Sequence, residues 1–125
     1  MKSIAGTFGI LGLIFLFFHT CSSDEANGAE MFIGEYIGSV YYLNSELQYA
    51  LEDAPVIVSK SGEYWNFEFS NEIAGLDSIL FDVSSDGKVM MNVNADESQM
   101  IRLTNNTLQI IYSLEGQYWT AFCTR

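Results

Sequence analysis

Two carboxylates, Glu68 and Asp82, sit inside otherwise apolar stretches. Acids so placed could serve as proton donor and base on a glycoside if the fold held them about 5 to 10 Å apart. The stretch Asp82-Val83-Ser84-Ser85-Asp86-Gly87 places oxygen-bearing side chains at its first, third and fifth positions and glycine at the sixth, like the first half of a calcium loop. Its second half departs, because the twelfth position is Val93 rather than a bidentate Glu. Asp86-Gly87 reads better as the bend of a tight hairpin. The 16 Asp and Glu are otherwise scattered, as on a solvated acidic surface.

The remaining chemistry-bearing residues lie mostly at the start of the chain. Lys2, the apolar run 4–18 and His19-Thr20 have the order of an export signal, and the run is shorter than the roughly 20 apolar residues that a membrane-spanning helix needs. With Cys21-Ser22-Ser23-Asp24-Glu25 behind it, the segment resembles a bacterial lipoprotein signal, although Phe18 and Thr20 stand where that pattern has Leu and a small residue. The acidic string resembles the tether that directs lipoproteins of Bacteroidetes-type bacteria to the outer face of the outer membrane. The resemblance implies a signal peptide at 1–20, a lipid such as palmitate on Cys21, a flexible acidic tether at 21–30 and a folded domain at 31–125. It places the protein on the outer membrane, exposed at the cell surface, with the lipid as its contact with membrane.

Cleavage there removes His19, the one histidine, and Lys2, leaving four Lys and Arg against 16 acids. Without histidine, Ser-His and Cys-His nucleophile pairs, His-based zinc sites and His acid–base work are all excluded. No phosphate-binding glycine loop or dinucleotide fingerprint occurs. The expectation is a protein that is not an enzyme and holds no metal or cofactor. Its charge excludes nucleic acid, whose binding depends on Lys and Arg at phosphates. Cys123 is then either a lone buried thiol or, if Cys21 carries no lipid, half of a bridge closing the domain end to end.

From residue 31 onward, Val, Ile, Phe, Tyr and Trp recur in short runs cut by Ser61-Gly62, Asp86-Gly87, Asn105-Asn106 and Glu115-Gly116. Strands are predicted at 32–42, 55–60, 63–70, 78–84, 88–94, 99–104, 107–114 and 117–124. Alternation sets Trp65, Phe67 and Phe69, then Ile79, Phe81 and Val83, then Val89, Met91 and Val93, and Ile101, Leu103, Leu108, Ile110 and Tyr112 on one apolar face. Asn66, Glu68, Asp82, Asn92, Arg102 and Gln109 fall on the other. The fold class is all-β: an antiparallel up-and-down meander of about eight strands closing into a small barrel, with a flattened sandwich as the alternative. Ser45-Glu46-Leu47-Gln48 has capping-box spacing and predicts either a short helix over one end or a loop that packs Leu47 and Leu51. Asn105-Asn106-Thr107, a glycosylation sequon on paper, reads as a turn.

Gly34-Glu35-Tyr36 in the first strand and Arg125 after the last resemble the lipocalin pattern, in which a Gly-x-Trp is covered by a basic side chain from the end of the closing strand; Tyr36 stands in place of Trp. The resemblance implies a barrel with a mouth that takes a small apolar molecule. Candidate binding residues are Tyr36, Tyr41, Tyr42, Trp65, Tyr118 and Trp119, since Tyr and Trp join an apolar face to a polar tip. An eight-stranded barrel has room for a filled core or one small ligand. The large inward residues favour filling, and a surface that binds proteins or glycans is then the alternative to a pocket.

Overall fold

Short β-rich runs separated by turn residues can bury their apolar sides only by wrapping around one another, and in the computed structural model they do so. The structure describes residues 30–125; the expected signal segment, Cys21 and the expected tether through residue 29 lie outside them. Nine antiparallel strands form one nearly closed, barrel-shaped sheet: β1 (Gly34–Leu43), β2 (Gln48–Ser61), β3 (Tyr64–Glu68), β4 (Leu76–Ile79), β5 (Phe81–Val83), β6 (Met90–Asn92), β7 (Gln99–Leu103), β8 (Thr107–Leu114) and β9 (Gln117–Thr124). The sheet order is β4-β3-β2-β1-β9-β8-β7-β6-β5. Every strand therefore pairs with its neighbours in sequence except β4 and β5, which are the two edges, and β9 returns to pair with β1. Among the described residues no helix is long and apolar enough to cross a membrane.

The two edge strands, β4 and β5, are separated in the chain by Leu80 alone. The strand predicted at 78–84 is divided between them at Leu80, and Ser78, within β4, takes a left-handed φ of 59°. The Val93 amide donates to the Leu80 carbonyl (2.9 Å), which extends the β5–β6 pairing of Phe81 with Asn92 by one residue.

Inside, Phe32, Tyr36, Tyr42, Trp65, Phe67 and Trp119 are each at most 3% exposed. Their rings meet edge-on or tilted: Trp65 against Phe32 (6.4 Å) and Phe81 (5.9 Å), Tyr42 against Trp119 (5.5 Å). Val56, Val58, Met90, Ile101, Leu103, Leu108 and Ile110 fill the space between. Burying each such side chain contributes roughly 1.5–3 kcal/mol relative to exposure.

Three expectations are corrected. The 45–51 segment is not helical: the Asn44 side-chain oxygen accepts from the Glu46 and Leu47 amides (2.7 Å each) and the Asn44 amide donates to the Leu47 carbonyl, so the chain turns at once and Gln48 pairs with Leu43. The face expected of β6 is inverted. Met90 and Asn92 point inward and are buried, whereas Met91 and Val93 are exposed. Asn92 is satisfied there because its side-chain oxygen accepts from the Ile101 amide (2.8 Å) and its amide donates to the Gln99 carbonyl (3.1 Å). Phe69 and Val83 also leave the interior, Phe69 half-buried in the loop after β3 and Val83 56% exposed at the end of β5.

Candidate binding surface

The six aromatic candidates separate into two groups. Tyr36, Tyr42, Trp65 and Trp119 belong to the interior. The Tyr36 hydroxyl faces the Phe32 and Thr104 carbonyls at 3.0 Å each, and burial pushes its pKa above the ordinary tyrosine value despite the opposing effect of Arg125. Trp119 donates its indole N–H to the Ala74 carbonyl (2.8 Å), and the Tyr42 hydroxyl donates to Gln117 Oε1 (2.6 Å) while accepting from Asn44. Tyr41 and Tyr118 stand outside on adjacent strands, their rings 6.4 Å apart and nearly perpendicular.

The residue after β9 covers an aromatic side chain of β1. Arg125 lies over the Tyr36 ring and donates from Nη1 to the Ile33 carbonyl (2.8 Å) and from Nε to the Asn105 carbonyl (2.6 Å). Gly34, at φ +136°, leaves room for it: a Cβ there would come within 2.7 Å of Arg125 Nη1.

On the outer face a groove of about 430 Å³ crosses β2, β1, β9 and β8. Strand alternation turns Ser39, Tyr41, Ala50, Glu52, Gln109, Ile111, Thr120 and Phe122 outward into it, and register arranges them in two rows. In the first, Gln109 pairs with Phe122, Phe122 with Ser39, and the Ser39 hydroxyl donates to Glu52 Oε1 (3.0 Å). In the second, Ile111 pairs with Thr120, Thr120 with Tyr41, and Tyr41 with Ala50. Gln48 donates to the Tyr41 hydroxyl (3.3 Å) at the margin.

Two backbone features shape this groove. The β1–β2 register shifts between Gly38 and Val40, and Asp53 takes φ 52° there. Such a bulge bends its strand and re-aims a side chain, here Glu52 toward Ser39. Gly38 lets β1 approach β9 so closely that a Cβ would fall on the Phe122 carbonyl oxygen and lie 2.7 Å from Cys123 Cα.

Phe122 dominates the rows, being 61% exposed in the middle of a strand. Its cross-strand neighbours, Ser39 and Gln109, and its neighbours on the same face of β9, Thr120 and Thr124, are polar side chains. The sequence held a signal for it: Trp119, Ala121 and Cys123 set the inward phase of β9, and Phe122 is the large apolar residue out of phase. The exposed charged residues of these four strands are Glu35, Glu52 and Asp53 on β1 and β2, and Lys60 near the end of β2, beside the Trp65 ring.

Other candidates take structural parts. Glu68 and Asp82 are both exposed, and neither lines the groove. Asp86 accepts from the Ser84 hydroxyl (2.6 Å) and the Lys88 amide (3.0 Å), bonds that hold the hairpin and lower its pKa, with the Ser84 bond the larger cause. Among the described residues no group of three His, Cys, Asp or Glu is placed to hold a metal. The segment at 104–107 is a turn, closed by the Thr104 amide on the Thr107 carbonyl (2.9 Å). Cys123 is a free, buried thiol whose pKa burial raises to about 11.

Comparison with protein families, with curated proteins and with solved structures finds no match to the chain.

Proposed function

We propose that this protein is a non-enzymatic recognition module in which the barrel is a filled scaffold and the outer face of β8, β9, β1 and β2 does the recognising. The observation that carries this reading is the pairing of a packed aromatic interior with Phe122 left 61% exposed over an open groove. Aromatic residues are enriched at interaction sites relative to the rest of a protein's surface. The lipid on Cys21 and the outer-membrane address belong to the proposal on the strength of the signal and tether described above.

The rival reading is a small apolar ligand inside the barrel. Both tryptophans, Trp65 and Trp119, are interior, so their emission reports on any such guest. Titration with a fatty acid and with an aromatic probe is expected to leave the emission unshifted. A saturable shift overturns the filled-scaffold reading. Intact mass of the detergent-extracted protein is expected to show acyl chains on Cys21, and Cys21→Ala to release the protein from membranes. Persistent membrane association of that variant overturns the anchor.

A further inference from the structure

Resting on the surface-recognition reading, we infer that the groove over β8, β9, β1 and β2 is a binding site for a neutral carbohydrate chain. A pyranose ring has C–H groups on its faces and hydroxyls around its edge. It therefore needs an aromatic face to lie on and hydrogen-bonding groups on both sides of that face, and the row Gln109, Phe122, Ser39, Glu52 supplies them in that order. Adjacent strands lie about 4.8 Å apart, so the row offers one group per strand across about 14 Å, enough for a short oligosaccharide. The negative face of an aromatic ring attracts the weakly positive C–H groups. Gln109 can donate and accept, and Thr120 and Tyr41 add hydroxyls in the second row. Ser39 fixes one oxygen of Glu52, leaving the other to accept from a sugar hydroxyl as a charge-assisted bond.

Charge and topology decide against the other occupants. A formal charge of −11 repels sulfated or uronate-rich glycans and phosphate headgroups. A second copy would have to set one acidic domain, and one Glu52, against another. An extended peptide gains its main-chain bonds at an open sheet edge, whereas β1 and β9 are each paired on both sides and offer none. The groove has a single carboxylate in its lining, too little to favour a basic partner over a hydroxyl-rich one.

The test is calorimetric titration of the full, membrane-extracted chain with neutral oligosaccharides of glucose, xylose and mannose, and with a sulfated oligosaccharide for comparison. At least one neutral sugar is expected to bind. Phe122→Leu, which keeps an apolar side chain but removes the ring face, is expected to weaken it at least about tenfold, Phe122→Trp to preserve it, and Glu52→Ala to weaken it. Val83→Ala, at the distant β5, serves as the unchanged control, and thermal melts confirm that all variants fold. Absence of binding across the neutral panel, preference for the sulfated sugar, or indifference to Phe122→Leu each overturns the inference. A photo-crosslinker at position 122 separates this failure from the broader one. Specific capture of a polypeptide there sinks the carbohydrate and keeps surface recognition, whereas no capture together with a saturable tryptophan shift on an apolar probe sinks both.

Discussion

The Arg125 guanidinium carbon lies 4.3 Å from the centre of the Tyr36 ring, so the residue after the last strand caps an aromatic side chain of the first. The contact lies where β9 and β1 close the ring, and it is reinforced by two carbonyls that belong to different loops, those of Ile33 and Asn105.

Removing that fork should loosen the closure. Arg125→Ala is expected to destabilise the domain by about 1–3 kcal/mol, combining a cation–π contact with charge-assisted bonds to two carbonyls. Arg125→Lys should recover only part, because an ammonium cannot reproduce the planar fork. Urea midpoints of the three proteins test the order; equal midpoints would show that the contact carries no stability.

Gly38→Ala should be far more damaging than its chemistry suggests. The added methyl meets the backbone of Phe122 and Cys123, which cannot move aside as a side chain would, and about 3 kcal/mol or more is expected. Gly62→Ala meets nothing within 4 Å and suffers only from its φ of +63°, for about 1 kcal/mol. Expression and melting temperature of the pair distinguish a steric origin from a conformational one.

Cys123 should make the fold sensitive to alkali. Its pKa is raised from 9.0 to about 11 by burial, so between those values the unfolded chain has lost the proton and the folded one has kept it. The stability is thus fully present below pH 9 and falls as pH rises toward 11. Tyr36 and Tyr112, raised by burial from 10.0, add to the decline only at higher pH. Cys123→Ala should flatten the dependence between pH 9 and 10, and a thiol reagent should react with the native protein only as fast as it opens.

Asn92 should matter as much as an apolar core residue. Its side chain takes over where the β6–β7 ladder ends, and Asn92→Ala strands a buried amide at Ile101 and leaves the Gln99 carbonyl with the Asp96 amide as its remaining donor. A loss of about 1–3 kcal/mol is expected, together with faster hydrogen exchange at the Ile101 amide. Unchanged exchange there would contradict the stitching role.

Acid should loosen two turns. Asp96 is held below the usual carboxylate range by the Ser98 and Gln99 amides and the Ser98 hydroxyl, with the Ser98 amide the leading cause, and Asp86 by Ser84 and Lys88. Depressed values mean that their support is present above the unfolded pKa and disappears as pH falls through the folded one. Asp96→Ala should therefore lose stability at neutral pH and show a shallower acid decline than the parent.

Much of this architecture is legible in the residues because turn chemistry and period-two patterning agree at most strands. Ser61-Gly62, Asn105-Asn106 and Glu115-Gly116 are hairpin bends where expected, and the last three strands match their predicted spans almost residue for residue. The phase of β6 was not legible, since Met90 and Met91 are equally apolar and only Asn92's partners decide which points inward. The turn at Asn44 defeated the capping box at Ser45 because the Asn44 side chain takes the Glu46 and Leu47 amides and turns the chain before a helix can start. Of the six aromatic candidates, Tyr41 and Tyr118 reach the outer face. The groove itself was hidden, as it is assembled by register between β8, β9, β1 and β2, and register is not written in any one strand.

The seam at Leu80 gives the barrel two unlike walls. On its side β3 meets β4 only through Trp65 with Ile79 and Phe67 with Leu76, and β6 meets β7 only through Met90 with Leu103 and Met91 with Arg102. The opposite wall is built of the long ladders joining β2, β1, β9 and β8. Breathing motions, which follow the weakest local pairing, are thereby confined to the seam side. If the far wall binds as proposed, its continuous ladders leave a guest little backbone entropy to freeze out.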